Sequence, residues 1–407
     1  MIGFAEAIAA LREVAPAPRH EAVALVDAVG RSTVADLAAR TALPTAVAAA
    51  MDGFACRIED AASATPETPV RLTAIGASRT GQPFAGALGP MQAVAVATGA
   101  VIPEGADAIA VVEDCRVDGD EVTLFAPPRT KHLRAVGEDL QAGATVLPAG
   151  TLLTPLAVGL AAAAGHVRLD VVARPSALVL ATGPELRPPD ARLGPGDVPD
   201  SNAPLVAALL QAHGVPTRTA PSVVDDEAAL EAALEAACAG SDRPDLIVTT
   251  GGASVGRHDV VRRVLGAAGE VRFDGIRVRP GRPAMLGAWT GVPWLALPGT
   301  PHAVAVLGTV LLRAWSETAA GRAADGEGLG REAARLETPL RGVPGRTVLQ
   351  LGRRWTDAEG RRRTAPLERS DASRMRDLAR ADALIVVPEG VSPEAGAVVD
   401  TLAFGDA

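Results

Sequence analysis

Apolar runs alternate with helical patterns from about residue 174 to residue 315. The segments "SALVLATG", "DLIVTTGG" and "GVPWLALPG" are typical of buried strands, whereas "SNAPLVAALLQAHG", "EAALEAALEAACAG", "DVVRRVLGAAG" and "PHAVAVLGTVLLRAW" have helical spacing. Strands that alternate with helices predict a mostly parallel sheet covered on both faces. The loops after Leu180, Thr250 and Leu297 should then share one rim, where ligands bind in such sheets.

One predicted helix has candidate capping residues at both ends. In "SNAPLVAALLQAHG", Ser201 and Asn202 are candidate N-caps, and Gly214 is a C-cap signal.

The flanking segments have other patterns. Residues 3–14 and 20–29 have helical spacing, residues 70–147 hold short strands separated by turns, and residues 151–172 predict a helix followed by a strand. This order suggests a β-rich domain inserted into a discontinuous one. After the linker "GRAADGEGLGRE", residues 334–404 again predict short strands and a small terminal β domain.

Length and composition narrow the classes of protein. A chain of 407 residues predicts more than one domain. A net charge of -9, 2% aromatic residues and no Tyr argue against a nucleic-acid binder. The three cysteines form no C-x-x-C pair, which fits a reducing compartment and gives no zinc site. With no secretory signal pattern and no apolar run of about 20 residues, we expect a cytoplasmic protein without membrane contact.

The loop "TTGGASVGRHD" raises a question of chemistry. Gly252–Gly256 matches the G-x-S-x-G pattern of a hydrolase nucleophile elbow, with Ser254 as the nucleophile. That chemistry needs a histidine and an oxyanion loop, yet only His258 and His302 follow and no H-G-G-G run precedes. Gly251 and Gly252 favour another use, in which the backbone approaches an anion closely before a helix. The pattern is neither a dinucleotide fingerprint nor a triphosphate loop.

Two rigid turns share the pattern Pro-Gly-x-Pro, at 280–283 and 298–301. Arg279 and Arg282 lie in or beside the first of them, and arginines in such an arrangement suit a phosphate or another oxyanion. A solvated basic strand is an equally good interpretation of the pattern alone.

Single acidic residues lie in other loops. Asp52, Glu185 and Asp226 each follow an apolar segment or precede a helix, and Asp259 precedes another helix. Taken singly they suit turns and helix caps. If they converge near the arginines, carboxylates beside a bound phosphate suit a divalent metal.

The order of motifs resembles a known family. The segments "MDGFA", "ATGAVIPEGADAIAVVED", "VGEDL", "SNAPLVAALL", "TTGGASVGRHD", "RPGRPAMLG" and "LALPGTP" stand in the order found in molybdopterin molybdenumtransferases, the family of bacterial MoeA and the E domain of gephyrin. The resemblance runs from about Phe4 to the end of the chain and is weakest after residue 322.

The resemblance implies a multidomain α/β plus β protein that forms a homodimer. The implied domains are a segmented linker domain (1–40 and 136–172), an inserted β-rich domain (41–135), an α/β molybdopterin-binding-like domain with a mostly parallel sheet (173–322), and a small C-terminal β domain (323–407).

The resemblance also implies an activity. The family hydrolyses the adenylyl link of adenylylated molybdopterin with a divalent cation, usually Mg²⁺, inserts molybdate at the dithiolene and releases AMP. The implied catalytic residues are Asp52, Glu185, Asp226 and Asp259, of which the last three would also bind the metal. The implied substrate-binding residues are Thr98, Gly251, Gly252, Ser254, Arg279, Arg282, Pro298, Pro301 and Ser373. Other molybdenum-cofactor biosynthesis proteins are expected partners.

Several positions depart from the family pattern. Gly275 stands where a lysine is common, arginines replace lysines at 279 and 282, and Thr300 and His302 alter the "LPGTP" turn. Pro184 replaces an aspartate, and "RSDASR" lacks the usual glycines. These departures motivate a second hypothesis, a homologue that binds or stores molybdopterin or the finished cofactor without turnover.

Overall fold

The computed structural model describes residues 1–240, 242–252, 259–268, 270–322, 329–367 and 375–404. The chain divides into two compact units. The first comprises Met1–Glu21, Gly30–Ser32 and Val172–Ala407, and the second comprises Ala22–Val29 and Thr33–Val171. The α-helices of the described residues are Phe4–Glu13, Ile58–Ala61, Pro155–Ala163, Asn202–Ala212, Glu227–Cys238, Val260–Ala267, Pro301–Ala319 and Met375–Leu378, with 3₁₀ turns at Leu25–Ala28, Val112–Asp114 and Thr130–His132.

The first unit is built on a six-stranded sheet. Its spatial order is Thr217–Thr219, Ala177–Ala181, Leu246–Thr250, Val292–Leu297, Met285–Trp289 and Phe273–Asp274. The first four strands are mutually parallel, and each of the last two runs antiparallel to the strand before it in this order. The predicted mostly parallel sheet is therefore confirmed.

Alternate side chains of these strands enter two cores. Val179, Val248 and Leu295 pack with helices Phe4–Glu13, Asn202–Ala212 and Pro301–Ala319 on one face. Leu178, Ile247 and Trp294 pack with helices Glu227–Cys238 and Val260–Ala267 on the other. Strands buried on both faces explain the nearly continuous apolar runs in the sequence.

The same unit holds a second sheet formed by residues 278–403. Its order is Val278–Arg279, Thr347–Thr356, Arg362–Pro366, Glu332–Leu336, Val398–Ala403 and Ala383–Val387. An extra pairing of Ala383–Val387 with Thr347–Thr356 closes the last five strands into a ring. The short pair Leu186–Arg187 and Val198–Pro199 lies within a loop of the α/β part. The predicted terminal β structure is confirmed.

The second unit is mainly β structure. Its six-stranded sheet has the order Ala108–Val111, Gly53–Cys56, Gln92–Val96, Val70–Ser78, Glu121–Leu124 and Cys115–Asp118. Smaller pairs join Leu133–Arg134 to Ala48–Ala49 and Thr145–Leu147 to Leu37–Ala38. The sheet packs around its own core, which includes Phe54, Val94 and Ile109. The finer four-domain division stays a prediction.

One predicted element is wrong. Residues 20–29 form the strand His20–Ala24 and a 3₁₀ turn at Leu25–Ala28 instead of a helix. The predicted helix and strand after residue 151 are Pro155–Ala163 and Arg168–Val172. No helix of the described residues is long and apolar enough to cross a membrane.

Candidate functional site

Three parallel strands end at one rim. Ala181 lies opposite Thr250, and Thr250 lies opposite Leu297. The amide of Thr182 donates to the Thr250 carbonyl at 2.9 Å, and the amide of Gly251 donates to the Leu297 carbonyl at 3.1 Å. The strand Ala177–Ala181 lies between Thr217–Thr219 and Leu246–Thr250. The chain leaves Ala177–Ala181 toward one side of the sheet and leaves Leu246–Thr250 toward the other side, so the two connections diverge at this rim. Ligands of open α/β sheets bind at such a switch point.

The glycines after Leu246–Thr250 are required by close packing. Gly251 and Gly252 have φ values of +89° and +59°. A Cβ on Gly251 would lie 2.4 Å from the Thr182 carbonyl oxygen, and a Cβ on Gly252 would lie 2.8 Å from a methyl carbon of Val261. Any side chain here would therefore be strained and would collide with its neighbours. Ser254, next along this loop, lies outside the described residues, as does Ser373.

Two of the predicted carboxylates lie on neighbouring loops of this rim. Val223 donates to the Ala181 carbonyl at 2.9 Å and accepts from the Gly183 amide at 3.1 Å, so the loop that carries Glu185 runs beside the loop that leads to Asp226. The Glu185 carboxylate folds over Gly183, where an added Cβ would lie 2.7 Å from one of its oxygens.

Asp226 and Asp259 each stand immediately before the first residue of a helix. Asp226 caps helix Glu227–Cys238, since its Oδ1 accepts from the Ala229 amide at 2.9 Å. Asp259 stands immediately before helix Val260–Ala267, is half-buried, and forms no side-chain cap bond with that helix. The cap interpretation of Asp226 is therefore confirmed, and its second oxygen is the one left for other chemistry.

The carboxylates of this rim can be compared with the ligands that Mg²⁺ takes in proteins. Within the described residues, no group of three or more His, Cys, Asp or Glu side chains is arranged to hold a metal ion. Glu185, Asp226 and Asp259 nevertheless offer carboxylate oxygens from loops that follow three parallel strands. Mg²⁺ commonly keeps several waters and takes one or two carboxylates together with substrate phosphates. These three residues fit that mode of binding, and the part of the chain that the structure describes forms no all-protein cage.

The turn Pro298–Pro301 is tied to a neighbouring helix. Asn202 is buried, and its Nδ2 donates to the Gly299 carbonyl at 2.8 Å. Pro298 is buried, and Pro301 begins helix Pro301–Ala319. Sequence reasoning identified both prolines but missed the role of Asn202 in holding them, for which the segment "SNAP" gave no signal beyond a helix start.

The predicted caps of helix Asn202–Ala212 are corrected by the structure. Ser201 makes no side-chain cap bond. Oδ1 of Asp200 instead accepts from the amides of Asn202 and Ala203, both at 3.1 Å. Gly214 has a φ of +74°, as its C-cap signal predicted.

The arginine loop keeps its cationic groups exposed. Arg279 is exposed. Arg282 is also exposed, and its Nε lies 3.4 Å from Sδ of Met1. Gly281 packs against Leu307 of helix Pro301–Ala319, since a Cβ there would lie 2.4 Å from a Leu307 methyl carbon. The described contacts do not join Arg279 or Arg282 to the rim carboxylates.

Gly275, at a position where lysine is common in the family, has a structural reason to be glycine in this chain. Its φ is +86°, and a Cβ would lie 2.8 Å from Cγ of Met1 and 3.3 Å from the Arg282 carbonyl. His302 is buried in the first turn of helix Pro301–Ala319, whereas Thr300 is exposed.

In the second unit, Asp52 and Thr98 meet although they stand 46 residues apart. Oδ1 of Asp52 accepts from both the amide and the hydroxyl of Thr98, each at 2.7 Å. These bonds, the amide bond first, lower the pKa of the Asp52 carboxyl below its ordinary value. The carboxylate of Asp52 is therefore exposed to solvent, negatively charged and held in a fixed orientation.

Family models match most of the chain. Residues 2–165 match the MoeA N-terminal region (domain I and II), residues 178–316 match a probable molybdopterin binding domain, and residues 333–404 match the MoeA C-terminal region (domain IV).

Relatives that align with about three-quarters of the chain agree. The chain is 37% identical over 309 residues to molybdopterin molybdenumtransferase 2 of Mycobacterium tuberculosis, covering 74% of this chain and 75% of the relative. It is 32% identical to the molybdopterin molybdenumtransferase of Haemophilus influenzae, covering 74% and 73%. A crystal structure of the molybdopterin biosynthesis MoeA protein from Pyrococcus horikosii superposes with a TM-score of 0.81 at 28% identity, over 99% of both chains. The chain therefore belongs to the molybdopterin molybdenumtransferase family, the MoeA proteins of molybdenum cofactor biosynthesis.

Proposed function

We propose that this protein is a molybdopterin molybdenumtransferase. It takes adenylylated molybdopterin and molybdate, hydrolyses the adenylyl link, leaves molybdenum on the dithiolene and releases AMP. Family membership supports the reaction, and the glycine-floored rim at the switch point of the sheet is the observation that carries the proposed site.

The rim suits a phosphorylated ligand. At Gly251 and Gly252 the absence of side chains lets a ligand reach the main chain. The turn from Pro298 to Pro301 is held by prolines and by Asn202, so little conformational entropy is lost when it contacts a ligand. We assign the exposed guanidinium groups of Arg279 and Arg282 to oxyanion recognition, for phosphate or molybdate.

The three rim carboxylates would hold the divalent cation. Glu185, Asp226 and Asp259 are the proposed Mg²⁺ ligands, together with substrate phosphate oxygens and water. When bound, the ion would neutralise negative charge that develops on the phosphates. In the hydrolysis, a water oxygen forms a bond to phosphorus as the phosphoanhydride bond breaks, so that AMP and the phosphate of molybdopterin separate and the water loses a proton to a base. The carboxylates of the rim orient that water and accept its proton.

Asp52 and Thr98 contribute a second group of functional side chains. Since two donors of Thr98 hold Asp52 as an anion, its carboxylate is a hydrogen-bond acceptor with a fixed direction. We further propose a cytoplasmic homodimer that exchanges substrate with other molybdenum-cofactor biosynthesis proteins. Sedimentation analysis of the purified protein tests the dimer, and a monomer at micromolar concentration would rule it out.

The alternative, a homologue that binds without turnover, is not favoured, because relatives that cover three-quarters of the chain are named as transferases. The two are separated by anaerobic incubation with adenylylated molybdopterin, molybdate and Mg²⁺. The enzyme releases AMP, whereas tight binding without AMP release would establish the binder.

Two variants test the roles within the rim. Asp259→Ala should impair AMP release without altering the oligomeric state, and unchanged turnover would remove Asp259 from the site. Ser254→Ala should have a mild effect if the loop acts through its backbone. A total loss of activity with substrate binding intact would restore Ser254 as a nucleophile.

A further inference from the structure

A small cavity of about 20 Å³ lies in the first unit, at the edge of the sheet opposite to the rim. It is lined by residues of Gly30–Ser32, by residues 172–175, and by the C-terminal ends of helices Asn202–Ala212 and Pro301–Ala319. Both helices begin beside the rim, which places their C-terminal ends away from it. A space of this size holds one water molecule or one monatomic ion.

Three hydrogen-bond donors at this cavity have no protein partner. The hydroxyls of Ser32 and Ser316 are buried, and within the described residues neither forms a hydrogen bond. The Arg31 side chain is 7% exposed; its Nε and Nη2 donate to the Val172 carbonyl at 3.1 and 2.8 Å, and its Nη2 also donates to Glu21. No group in the part of the chain that the structure describes accepts from Nη1 of Arg31. Buried polar groups are nearly always satisfied, so three such donors at one cavity call for a ligand that accepts hydrogen bonds.

The charge around the cavity favours an anion. Arg31 and Arg174 line it, and no carboxylate of the described residues does so. His213 also lines it, and burial, followed by the charges of Arg313 and Arg322, lowers the pKa of His213 to about 4. The imidazole is therefore neutral near pH 7, and the effect of the two arginines shows that the potential at this place is positive.

The two helix ends do not compete for the ligand. Carbonyl groups at a helix C-terminus carry partial negative charge and would repel an anion if they were left without donors. Here the Ser316 carbonyl accepts from the Ala320 amide at 2.9 Å. The Leu210 carbonyl accepts from the amides of His213 and Val215 at 3.1 and 3.0 Å. These carbonyls are engaged, whereas the three donors named above are left for a ligand.

We propose that this cavity binds a small monovalent anion of the size of chloride, held by Nη1 of Arg31 and the hydroxyls of Ser32 and Ser316. Such an ion accepts a hydrogen bond from all three donors and offsets the guanidinium charge. A water molecule carries no charge and accepts only two hydrogen bonds. Tetrahedral oxyanions such as phosphate and molybdate are too large for about 20 Å³, so the site is separate from the chemistry of the rim. The bound ion joins Gly30–Ser32 to helix Pro301–Ala319 and stabilises the folded first unit.

The first test is urea unfolding of the full-length protein in sodium chloride and in sodium gluconate at equal ionic strength, followed by tryptophan fluorescence. Gluconate is too large for the cavity, so only chloride should raise the unfolding midpoint, and its effect should saturate. Ser316→Ala removes one donor and should weaken the apparent chloride affinity about tenfold, the usual effect of losing a hydrogen bond to a charged group. Thr309→Val is the matched control on the same helix, because the Thr309 hydroxyl donates to the Ala305 carbonyl at 2.8 Å and does not line the cavity. Its chloride response should equal that of the wild type.

The second test locates the ion without any substitution. In crystals of the wild-type protein grown in sodium bromide, an anomalous difference peak should lie between the Arg31 guanidinium and the two serine hydroxyls.

Three results would overturn the proposal. The first is a cavity without an anomalous peak. The second is a chloride response that Ser316→Ala shares with the wild type and with Thr309→Val, since such an effect is not local to the cavity. The third is a bromide peak with equal midpoints in chloride and gluconate, which marks an ion bound at crystal concentration only.

Discussion

Replacing Gly251 by alanine tests the close packing that forms the floor of the rim. The new Cβ would meet two atoms of Thr182, the carbonyl oxygen at 2.4 Å and Oγ1 at 3.0 Å. The carbonyl is backbone, and the Thr182 amide is bonded to the Thr250 carbonyl at 2.9 Å. The clash therefore cannot be relieved by a side-chain rotation and must move the ends of two strands.

The magnitude has two parts. An alanine at a φ of +89° loses about 1–2 kcal/mol because the left-handed region is strained for any residue with a Cβ. The steric clash adds about 1–3 kcal/mol, the usual range for overpacking. Gly196→Ala isolates the first part, because Gly196 has a φ of +90° but nothing within 4 Å of its added Cβ.

Tryptophan fluorescence during thermal unfolding measures the difference. All four tryptophans lie in the segment Val172–Ala407 of the first unit, so the signal reports that unit. Gly251→Ala should unfold at a temperature several degrees below that of Gly196→Ala, at about 2–4 °C per kcal/mol for a large domain. Equal midpoints for the two variants would refute the argument that the glycine loop is packed against Thr182.

Three further outcomes follow from the first unit. Trp294→Phe removes the 2.9 Å hydrogen bond from the indole to the buried Thr249 hydroxyl, and it should lower the free energy of unfolding in urea by about 1–3 kcal/mol. Trp289→Phe is the control, because the indole nitrogen of Trp289 has no hydrogen-bond partner within the described residues. Equal losses in the two variants would contradict this reasoning. Asp226→Asn should keep the helix cap and the wild-type stability but slow AMP release, whereas Asp226→Ala should slow release and also lose about 1 kcal/mol; full activity of the Asn variant would remove the carboxylate from the site. Burial, and after it the charges of Arg313 and Arg322, lower the pKa of His213 from 6.5 to about 4. As pH drops from about 6.5 to about 4, the unfolded chain therefore takes up a proton before the folded chain does, and the free energy of unfolding should fall. His213→Gln should reduce this pH dependence in urea titrations, and an unchanged pH dependence would exclude His213 as its cause.

The rim was predictable because its strands are simple. "ALVLA" and "LIVTT" are apolar or small throughout, which is typical of strands buried on both faces, and parallel strands bring their following loops to one edge. Gly251, Gly252, Pro298 and Pro301 could therefore be placed near one another before any coordinates.

Other features depend on geometry that a pattern does not contain. The spacing of Val23, Leu25 and Val26 suits a helix, but a short apolar pattern does not separate a helix from a strand followed by a turn. The cap of helix Asn202–Ala212 was misplaced by one residue, because the side chain that reaches the free amides depends on where the first turn begins.

The contact between Asp52 and Thr98 could not be derived from spacing, because sheet pairing joins residues 46 positions apart. Both residues were identified only through the family resemblance. The cavity lined by Pro188, Pro204 and Pro221 was not foreseen either, since these prolines come from three separate segments of the chain.

The central claim is that this chain couples removal of the adenylyl group to insertion of molybdenum. The most direct measurement is an anaerobic single turnover of the purified full-length protein, in which AMP and pterin-bound molybdenum are quantified in the same sample. AMP and pterin-bound molybdenum should appear together, in equal amounts, and only when molybdate and Mg²⁺ are present. Substrate that stays bound to the protein with its adenylyl group intact, under those same conditions, would contradict it.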